Sequence, residues 1–326
     1  MKPRLHSLTH DHIDGNAALA YDIEDLYRMV KKPFPFPSVD ALRAFFKDPH
    51  VNIVDKFATV TSVLQSKEAL ELVIDSYVTE RAIEGYSVIE SKLAPQYHTA
   101  GGLRLKEVVS IMCNALWRAG NHYDVRVVPH VCIGREAPPE VGVEIAKIVM
   151  GYNGDVVLDL ACDEAGHPPW KHLPAFSSTF GTNVRRECHA GEWVAEHPHD
   201  TYRQRLMQNL RSAIFELRCH GVSHAIPLID DPELIRVVVD KGIRISGCPL
   251  SNLTCGSIKD VRELGIDRLL EAGVQYTLNA DDDLFLPPMT EVLDVCDAAY
   301  AFTEAQCAKL ESISKSAPFL QWKPKA

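Results

Sequence analysis

Short apolar runs alternate with longer stretches of helical periodicity along nearly the whole chain. The short runs are rich in Val, Ile and Leu and have the length of strands. They lie at residues 5–10, 86–93, 124–133, 155–162, 183–189, 221–226, 243–250 and 274–280. The longer amphipathic stretches between them predict helices, among them residues 66–85, 104–120, 138–151 and 201–221. Several of these stretches stop at a glycine, which favours a left-handed cap at a helix C-terminus.

This order of elements predicts the fold class. Strands that alternate with helical crossovers form a parallel sheet, and eight is the number of strands that closes a TIM-type (β/α)8 barrel. We therefore expect an α/β protein in which a single barrel domain spans residues 1–326. An open doubly wound sheet is the alternative. Such sheets usually carry a GxGxxG fingerprint after the first strand, and HDHIDGNAAL at residues 10–19 lacks it.

Residues 20–60 fit the barrel plan least well. The segment KKPFPFPS at residues 31–38 has three prolines within five residues, which predicts a loop between helices. We expect a helical insertion after the first strand, on the side of a barrel where insertions cover the active-site face. A lid over the site and a simple surface excursion both remain open.

Composition narrows the class of protein. The chain has 326 residues, of which 46% are hydrophobic, so it can bury a large core. Its net charge of −10 argues against binding to duplex DNA. We expect no membrane span, because no apolar run approaches about 20 residues, and no secretory signal is visible at the N-terminus. Nine cysteines without CxxC spacing predict reduced thiols in a cytoplasmic protein.

Histidines and carboxylates gather at the predicted strand ends, where a barrel enzyme has its active site. They follow five of the eight strands: His10, His12 and Asp14; Asp163 and Glu164; His189 and Glu192; His224; and Asp281, Asp282 and Asp283. His10 and His12 project to the same face, because residues two apart in a strand do so. Three imidazoles and one carboxylate suit a catalytic zinc ion. The candidate ligands are His10, His12, His189 and Asp281.

Five motifs at predicted strand ends carry a family resemblance. THDHIDG, CHAGE, VSHAI, CPLSN and LNADD resemble the ordered motif set of the adenosine deaminase family, a branch of the metal-dependent amidohydrolases. LDLACDEAG and VLQSKEAL are similar to further stretches of the same family. The resemblance runs in order from about residue 5 to residue 290, which is most of the chain.

The resemblance implies a role for each site residue. It implies one zinc ion per subunit, held by His10, His12, His189 and Asp281. His224 would orient the attacking water and assist its deprotonation, and Asp282 would accept a hydrogen bond from that water and direct it at C6 of a purine. Glu192 would donate a proton to N1 of the ring. A second metal is not expected, because two-metal relatives use a carboxylated lysine near the end of strand four, and residues 155–164 contain no lysine.

Substrate preference is the least determined feature. The family resemblance makes Asp14 a clamp for the ribose 5′-hydroxyl, and its carboxylate would repel a 5′-phosphate. Cys162 stands where the family usually has glycine beside purine N3, and Asp163 resembles the residue that meets N7. Asp283 replaces a common proline, and Lys92 stands where an arginine is frequent.

We therefore expect a zinc-dependent aminohydrolase that converts adenosine, or a close 6-aminopurine nucleoside, to inosine and ammonia. A sibling enzyme acting on adenine or on a modified adenine nucleoside is the nearer alternative. A catalytically silent purine-binding barrel is the more distant one, and intact Glu192, His224 and Asp282 argue against it. The partner would be a small purine nucleoside rather than nucleic acid or a membrane. The sequence leaves the oligomeric state open.

Overall fold

Eight parallel strands form the centre of the molecule in a computed structural model, which describes residues 2–193 and 199–319. We label them β1 to β8 in chain order: Ser7–His12, Val88–Leu93, Arg126–Gly134, Val157–Ala161, Glu187–Ala190, Gly221–His224, Arg244–Gly247 and Tyr276–Leu278. Each overlaps one of the eight segments that the sequence predicts as strands, and β1, β3 and β5 extend one or two residues beyond them.

The strands pair in sequence order and close on themselves. β1 to β4 form one four-stranded group and β5 to β8 a second one, with every adjacent pair parallel. Isolated parallel bridges join the two groups at both seams, Leu158 with Arg186 and Asp11 with Asp281. The predicted TIM-type (β/α)8 barrel is confirmed. That a single domain spans residues 1–326 stays a prediction.

Helices surround the barrel. We label them α1 to α13: Leu19–Met29, Val39–Lys47, Ile53–Thr61, Lys67–Ile83, Leu105–Tyr123, Pro139–Met150, Leu173–Ser177, His199–Arg211, Pro232–Asp240, Pro249–Thr254, Ile266–Glu271, Met289–Tyr300 and Glu304–Ser316. Their apolar faces pack on the strands and form one large hydrophobic core. Among the described residues, no helix combines the length and the apolar character that a membrane crossing requires.

The predicted insertion after the first strand consists of α1, α2 and α3. An aromatic cluster fastens it to the loop that follows β8: the Phe46 and Phe57 rings lie 5.3 and 4.9 Å from that of Phe285. Lys47 Nζ donates hydrogen bonds to the carbonyl oxygens of Asp283 and Leu286, at 2.8 and 2.7 Å. The insertion therefore packs on the loop that carries three of the candidate site residues.

The expectation that helices stop at a glycine holds for α4 and fails for α5. Gly85 follows α4 with φ +90°. Gly120, by contrast, lies inside α5, where a Cβ would come within 2.6 Å of the Val125 carbonyl oxygen. That glycine allows a close approach to the next strand, and the left-handed cap is Asp124 with φ +58°. The sequence shows that a glycine is required but not whether for its φ or for its small size.

Charged side chains occupy the interior of the barrel. Lys92 of β2 pairs with Asp159 of β4 at 2.6 Å and lies 3.6 Å from Glu187 of β5, and all three side chains are fully buried. Burial acts to lower the pKa of Lys92, but the Asp159 and Glu187 carboxylates hold that pKa above its usual range. Lys92, to which the sequence assigns no role, is thus the counter-ion of two buried acids.

The chain folds back to cover the N-terminal end of the barrel. The guanidinium of Arg244 bonds Glu90 and Glu187, each at 2.7 Å, and lies 3.9 Å from the centre of the Phe319 ring. The backbone N–H of Phe319 donates to Glu90 at 2.6 Å, and its ring stacks on His130. This end of the barrel is therefore covered, and the candidate site residues lie at the opposite end.

Candidate active site

Three histidines from two strands converge at the C-terminal end of the barrel. His12 Nε2 lies 3.3 Å from His10 Nε2 and 3.3 Å from His189 Nε2. Asp281, just after β8, places Oδ1 2.9 Å from His10 Nε2 and 3.4 Å from His12 Nε2. Parallel strands bring their carboxyl ends to the same edge, so residues far apart in the sequence meet here.

The spacing of these four ligand atoms fits a zinc ion. Zinc–nitrogen distances of about 2.0–2.1 Å place two ligands of a tetrahedron about 3.3 Å apart. The two measured nitrogen–nitrogen distances have this value. Where neither nitrogen carries a proton, two imidazole nitrogens at this distance repel each other, because both are hydrogen-bond acceptors. A cation between them gives the arrangement a physical cause.

Neighbouring groups orient three of the four candidate ligands, namely His10, His189 and Asp281. Ser223 Oγ lies 2.9 Å from His10 Nδ1 and donates to Glu187. The carbonyl of Leu160 accepts from His189 Nδ1 at 3.1 Å, and Ser251 Oγ donates to Asp281 Oδ2 at 2.8 Å. A proton on Nδ1 leaves Nε2 of His189 free to bind a metal.

His224 turns a free nitrogen toward the same cluster. Its Nδ1 donates to Asn252 Oδ1 at 2.8 Å, so Nε2 carries the lone pair of the neutral ring. That Nε2 is buried, has no hydrogen-bond partner among the described residues, and lies 3.5 Å from Glu192 Oε2. His224 has φ +66° and Asp281 has φ +76°. Residues other than glycine rarely adopt this backbone conformation, and those that do cluster at functional sites.

Glu164 holds the backbone that carries Glu192. The buried carboxylate of Glu164 accepts hydrogen bonds from three successive N–H groups, those of Gly191, Glu192 and Trp193, at 2.8, 2.8 and 3.0 Å. Burial raises the pKa of Glu192 to about 8, against the opposing effect of His189. A carboxyl with this pKa keeps its proton at neutral pH and can donate it.

Asp282 packs against the backbone of the first strand end. A Cβ at Gly15 would lie 1.8 Å from Asp282 Oδ1, so only glycine leaves room for that carboxylate. A carboxylate oxygen of Asp282 lies within 4.8 Å of ligand atoms of His12 and Asp281. Burial and the Asp281 and Asp14 charges raise the pKa of Asp282 well above its usual range. Carboxylates this close repel one another, so a bound cation would stabilise their charged forms.

The structure places Asp14 beside His98, a residue that the sequence did not single out. Asp14 Oδ2 lies 3.5 Å from His98 Nε2, and both side chains are buried. His98 Nδ1 donates to the carbonyl of Leu64, which fixes the ring. Asp14 therefore lies at the C-terminal end of the barrel, with one oxygen of its carboxylate toward the His98 ring.

Asp163 is directed elsewhere. Its Oδ1 accepts from the backbone N–H groups of Ala165 and Gly166, at 3.0 and 3.4 Å, and its Oδ2 lies 3.7 Å from His167. The carboxylate thus stabilises its own turn. Of the two adjacent acids, Glu164 binds the backbone of residues 191–193, and a contact of Asp163 with the purine stays a prediction.

Cys162 occupies a glycine-like backbone position, with φ +78°. We expect Cys162→Gly to raise the free energy of unfolding by about 1 kcal/mol, because a positive φ strains any residue with a Cβ. Urea unfolding would measure this change. Ala161→Gly, one residue earlier and inside β4, is the matched control and should lower stability by roughly 0.5–1 kcal/mol. Equal losses in both variants would contradict the strain.

Three residues position the candidate site without a role predicted from the sequence, namely Glu164, Ser251 and Asn252. Ser251 and Asn252 belong to the CPLSN motif, which the resemblance identified without a role for either residue. Their partners, Asp281 and His224, are about 28–30 positions away in the sequence. No periodicity indicates a contact of that separation.

The barrel and the histidine–aspartate cluster define a class: a metal-dependent hydrolase of the amidohydrolase type. The adenosine deaminase family model matches residues 5–326, and the chain belongs to that family. It is accordingly a hydrolase acting on the C–N bonds of cyclic amidines.

Individual relatives act on different purines. An adenine deaminase of Cupriavidus necator is 28% identical over 281 residues, which cover 85% of this chain and 76% of the relative. An adenosine deaminase of Mycobacterium sp. (strain KMS) is also 28% identical, over 303 residues, covering 85% and 80%. The solved adenine deaminase of Arthrobacter aurescens has the same fold, with a TM-score of 0.83, 21% identity and coverage of 98% and 94%.

Proposed function

We propose that the protein catalyses zinc-dependent hydrolytic deamination of adenosine, or of a close 6-aminopurine nucleoside. Water adds to C6 of the purine, the bond from C6 to the exocyclic nitrogen breaks, and inosine and ammonia leave. One observation carries the proposal: the carboxyl of Glu192 and a free imidazole nitrogen of His224 lie 3.5 Å apart beside a cluster with zinc spacing. A silent purine-binding barrel has no need of either group.

One zinc ion, held by His10, His12, His189 and Asp281, would lower the pKa of a water molecule toward neutrality. His224 Nε2 and the carboxylate of Asp282 accept hydrogen bonds from that water and orient it toward C6. Glu192 gives its proton to N1, which makes C6 more electrophilic. Buried surroundings strengthen each of these interactions, because they act in a low dielectric.

The negative charge at the C-terminal end of the barrel favours a substrate without phosphate. Asp14, Glu136 and Asp163 all follow strands at this end of the barrel, and Glu136 accepts the backbone N–H of Asp163 at 2.8 Å. Carboxylates accept hydrogen bonds from a ribose hydroxyl but repel a phosphate. Adenine or a modified adenine nucleoside is the second candidate. Cys162, which stands where the family usually has glycine, and the adenine deaminases among the relatives favour it.

All nine cysteines are free thiols, which supports a reducing, cytoplasmic location for this reaction.

The test is turnover of purified, zinc-loaded protein with adenosine, adenine and AMP, followed by ultraviolet absorbance. We expect rapid conversion of adenosine to inosine, slower conversion of adenine, and none of AMP. Removal of metal with a chelator should abolish turnover, and added zinc should restore it. No turnover of adenosine by the zinc-loaded protein would exclude it as the substrate, and faster turnover of adenine would establish the second candidate.

Asp14→Ala separates nucleoside from base. If Asp14 accepts a hydrogen bond from the ribose, its loss costs about 1.5–3 kcal/mol, so kcat/KM for adenosine should fall roughly 10- to 150-fold. Adenine has no ribose, and its kcat/KM should not change. Asp163→Ala is the matched control, because any contact with the purine ring affects both substrates alike. An equal fall for adenine and adenosine in Asp14→Ala would contradict the ribose contact.

A further inference from the structure

The seam between β1 and β8 has little backbone pairing, although three of the candidate zinc ligands lie there. Among the described residues a single bridge, Asp11 with Asp281, joins β1 to the chain just after β8, and the N–H of His12 reaches the Asp281 carbonyl at 3.4 Å. On its other edge, β1 shifts register against β2 between Leu8 and Asp11. A strand with irregular pairing on both edges does not fix its side chains by the ladder alone.

A buried arginine spans this seam from outside the barrel. Arg81 of α4 donates from Nε to Asp11 Oδ2 at 2.7 Å and from Nη2 to Asp11 Oδ1 at 3.1 Å. The same Nη2 donates to Asp283 Oδ2 at 2.8 Å. The side chains of Arg81, Asp11 and Asp283 are 2%, 2% and 5% exposed, so water weakens these contacts little.

Both carboxylates are adjacent in the chain to residues of the site. Asp11 lies between His10 and His12, and because successive strand residues point to opposite faces, it points outward when they point inward. Asp283 directly follows Asp282. Its other oxygen, Oδ1, accepts the N–H of Ala17 at 2.7 Å, which ties the loop after β8 to the chain that follows β1.

We propose that Arg81 is a positioning residue for the metal centre, which fixes the separation of the strand ends that carry His10, His12 and Asp281 by binding Asp11 and Asp283 together. The inference rests on the zinc site of the proposed function. Arg81 touches neither metal nor substrate and acts through the backbone of its two partners. In this chain Asp283, which stands where the family commonly has proline, supplies the second anchor.

The planar fork of arginine is what the geometry requires. Two nitrogens of the guanidinium bind both oxygens of Asp11, and one of them also reaches Asp283. Lysine has a single ammonium on a flexible stem and cannot hold both carboxylates in one fixed plane. Arg81→Lys therefore keeps the buried charge and removes the geometric constraint.

The experiment measures metal binding rather than turnover. The zinc dissociation constant of folded Arg81→Lys would be determined by competition with a chelator, and the cobalt-substituted protein would be examined by visible absorption. We expect zinc affinity to fall about 10- to 100-fold, the usual effect of losing a residue that supports metal ligands. The cobalt spectrum should change, because it reports the angles between ligands. A merely structural arginine would alter neither once the protein is folded.

Two further variants complete the test. Arg118→Lys alters an exposed pair, in which Arg118 lies 3.2 Å from Glu71, and should leave zinc affinity unchanged. Asp283→Asn keeps an acceptor for Ala17 and loses the charge that Arg81 binds. Asp283→Asn should also lower zinc affinity. The zinc affinity of the double variant should fall by less than the product of the two single effects, because both changes act on one contact.

Wild-type zinc affinity and an unchanged cobalt spectrum in folded Arg81→Lys would overturn the inference. If Arg81→Lys does not fold, Asp283→Asn decides alone: weaker zinc binding supports the inference, and unchanged binding overturns it. Failure of the proposed function has a different signature. The wild-type protein would then bind zinc and turn over no purine, whatever the variants show.

Discussion

Replacing Glu192 with glutamine is expected to lower kcat for the purine substrate by about 10²- to 10⁴-fold, the range that loss of a general acid produces. Glutamine preserves the shape of the side chain and its hydrogen bonding but has no proton to give to N1. Burial raises the pKa of Glu192 to about 8, which would keep this carboxyl protonated at neutral pH and suit it to the proposed role. Steady-state kinetics on the zinc-loaded variant would measure the change.

Two observations would check that the loss is chemical. Zinc content should equal that of the wild-type protein, because Glu192 is not among the proposed ligands, and KM should change much less than kcat. Glu192→Asp keeps an acidic proton on a shorter side chain and should retain more activity than the glutamine variant. Equal activity of Glu192→Gln and the wild type would show that the proton comes from elsewhere.

The largest effect on stability is expected for Lys92→Met. Methionine fills much of the same volume but leaves the buried carboxylates of Asp159 and Glu187 without their ammonium partner. Removing one partner of a buried ion pair costs about 3–5 kcal/mol, because the remaining charges stay out of water. Urea unfolding followed by circular dichroism would measure the loss of free energy of unfolding.

Arg118→Met is the control for Lys92→Met. It removes the cation from an exposed pair with Glu71, and pairs of that kind contribute about 0–1 kcal/mol. A loss of similar size in both variants would contradict the view that Lys92 is needed as a buried counter-ion. Asp159 also lies 3.4 Å from His189 Nδ1, so weaker zinc binding should accompany the Lys92 change.

Local patterns predicted much of the fold. Alternation of short apolar runs with helical stretches indicated eight strands, and the i, i+2 spacing of His10 and His12 brings both imidazoles to one face. Parallel strands then carry the histidines and carboxylates to one end of the barrel, wherever they lie in the chain. Strand order and the gathering of site residues followed from the sequence because both depend on local periodicity.

The direction of individual side chains did not follow. Asp163 and Glu164 are adjacent, and only the turn geometry decides that Glu164 binds three amides of the Glu192 loop while Asp163 caps its own turn. Gly120 shows the same limit, because a packing glycine and a capping glycine have the same letter.

By itself, then, the sequence determined the barrel and which candidate residues gather at the C-terminal end of its strands. Only the tertiary structure decided what holds them in place. Arg81 and Asp283 are 202 positions apart, and Lys92 and Asp159 are 67 apart. These partners meet because closing the barrel excludes water around charges that then need a counter-ion, and neither closure nor burial is expressed in the spacing of residues along the chain.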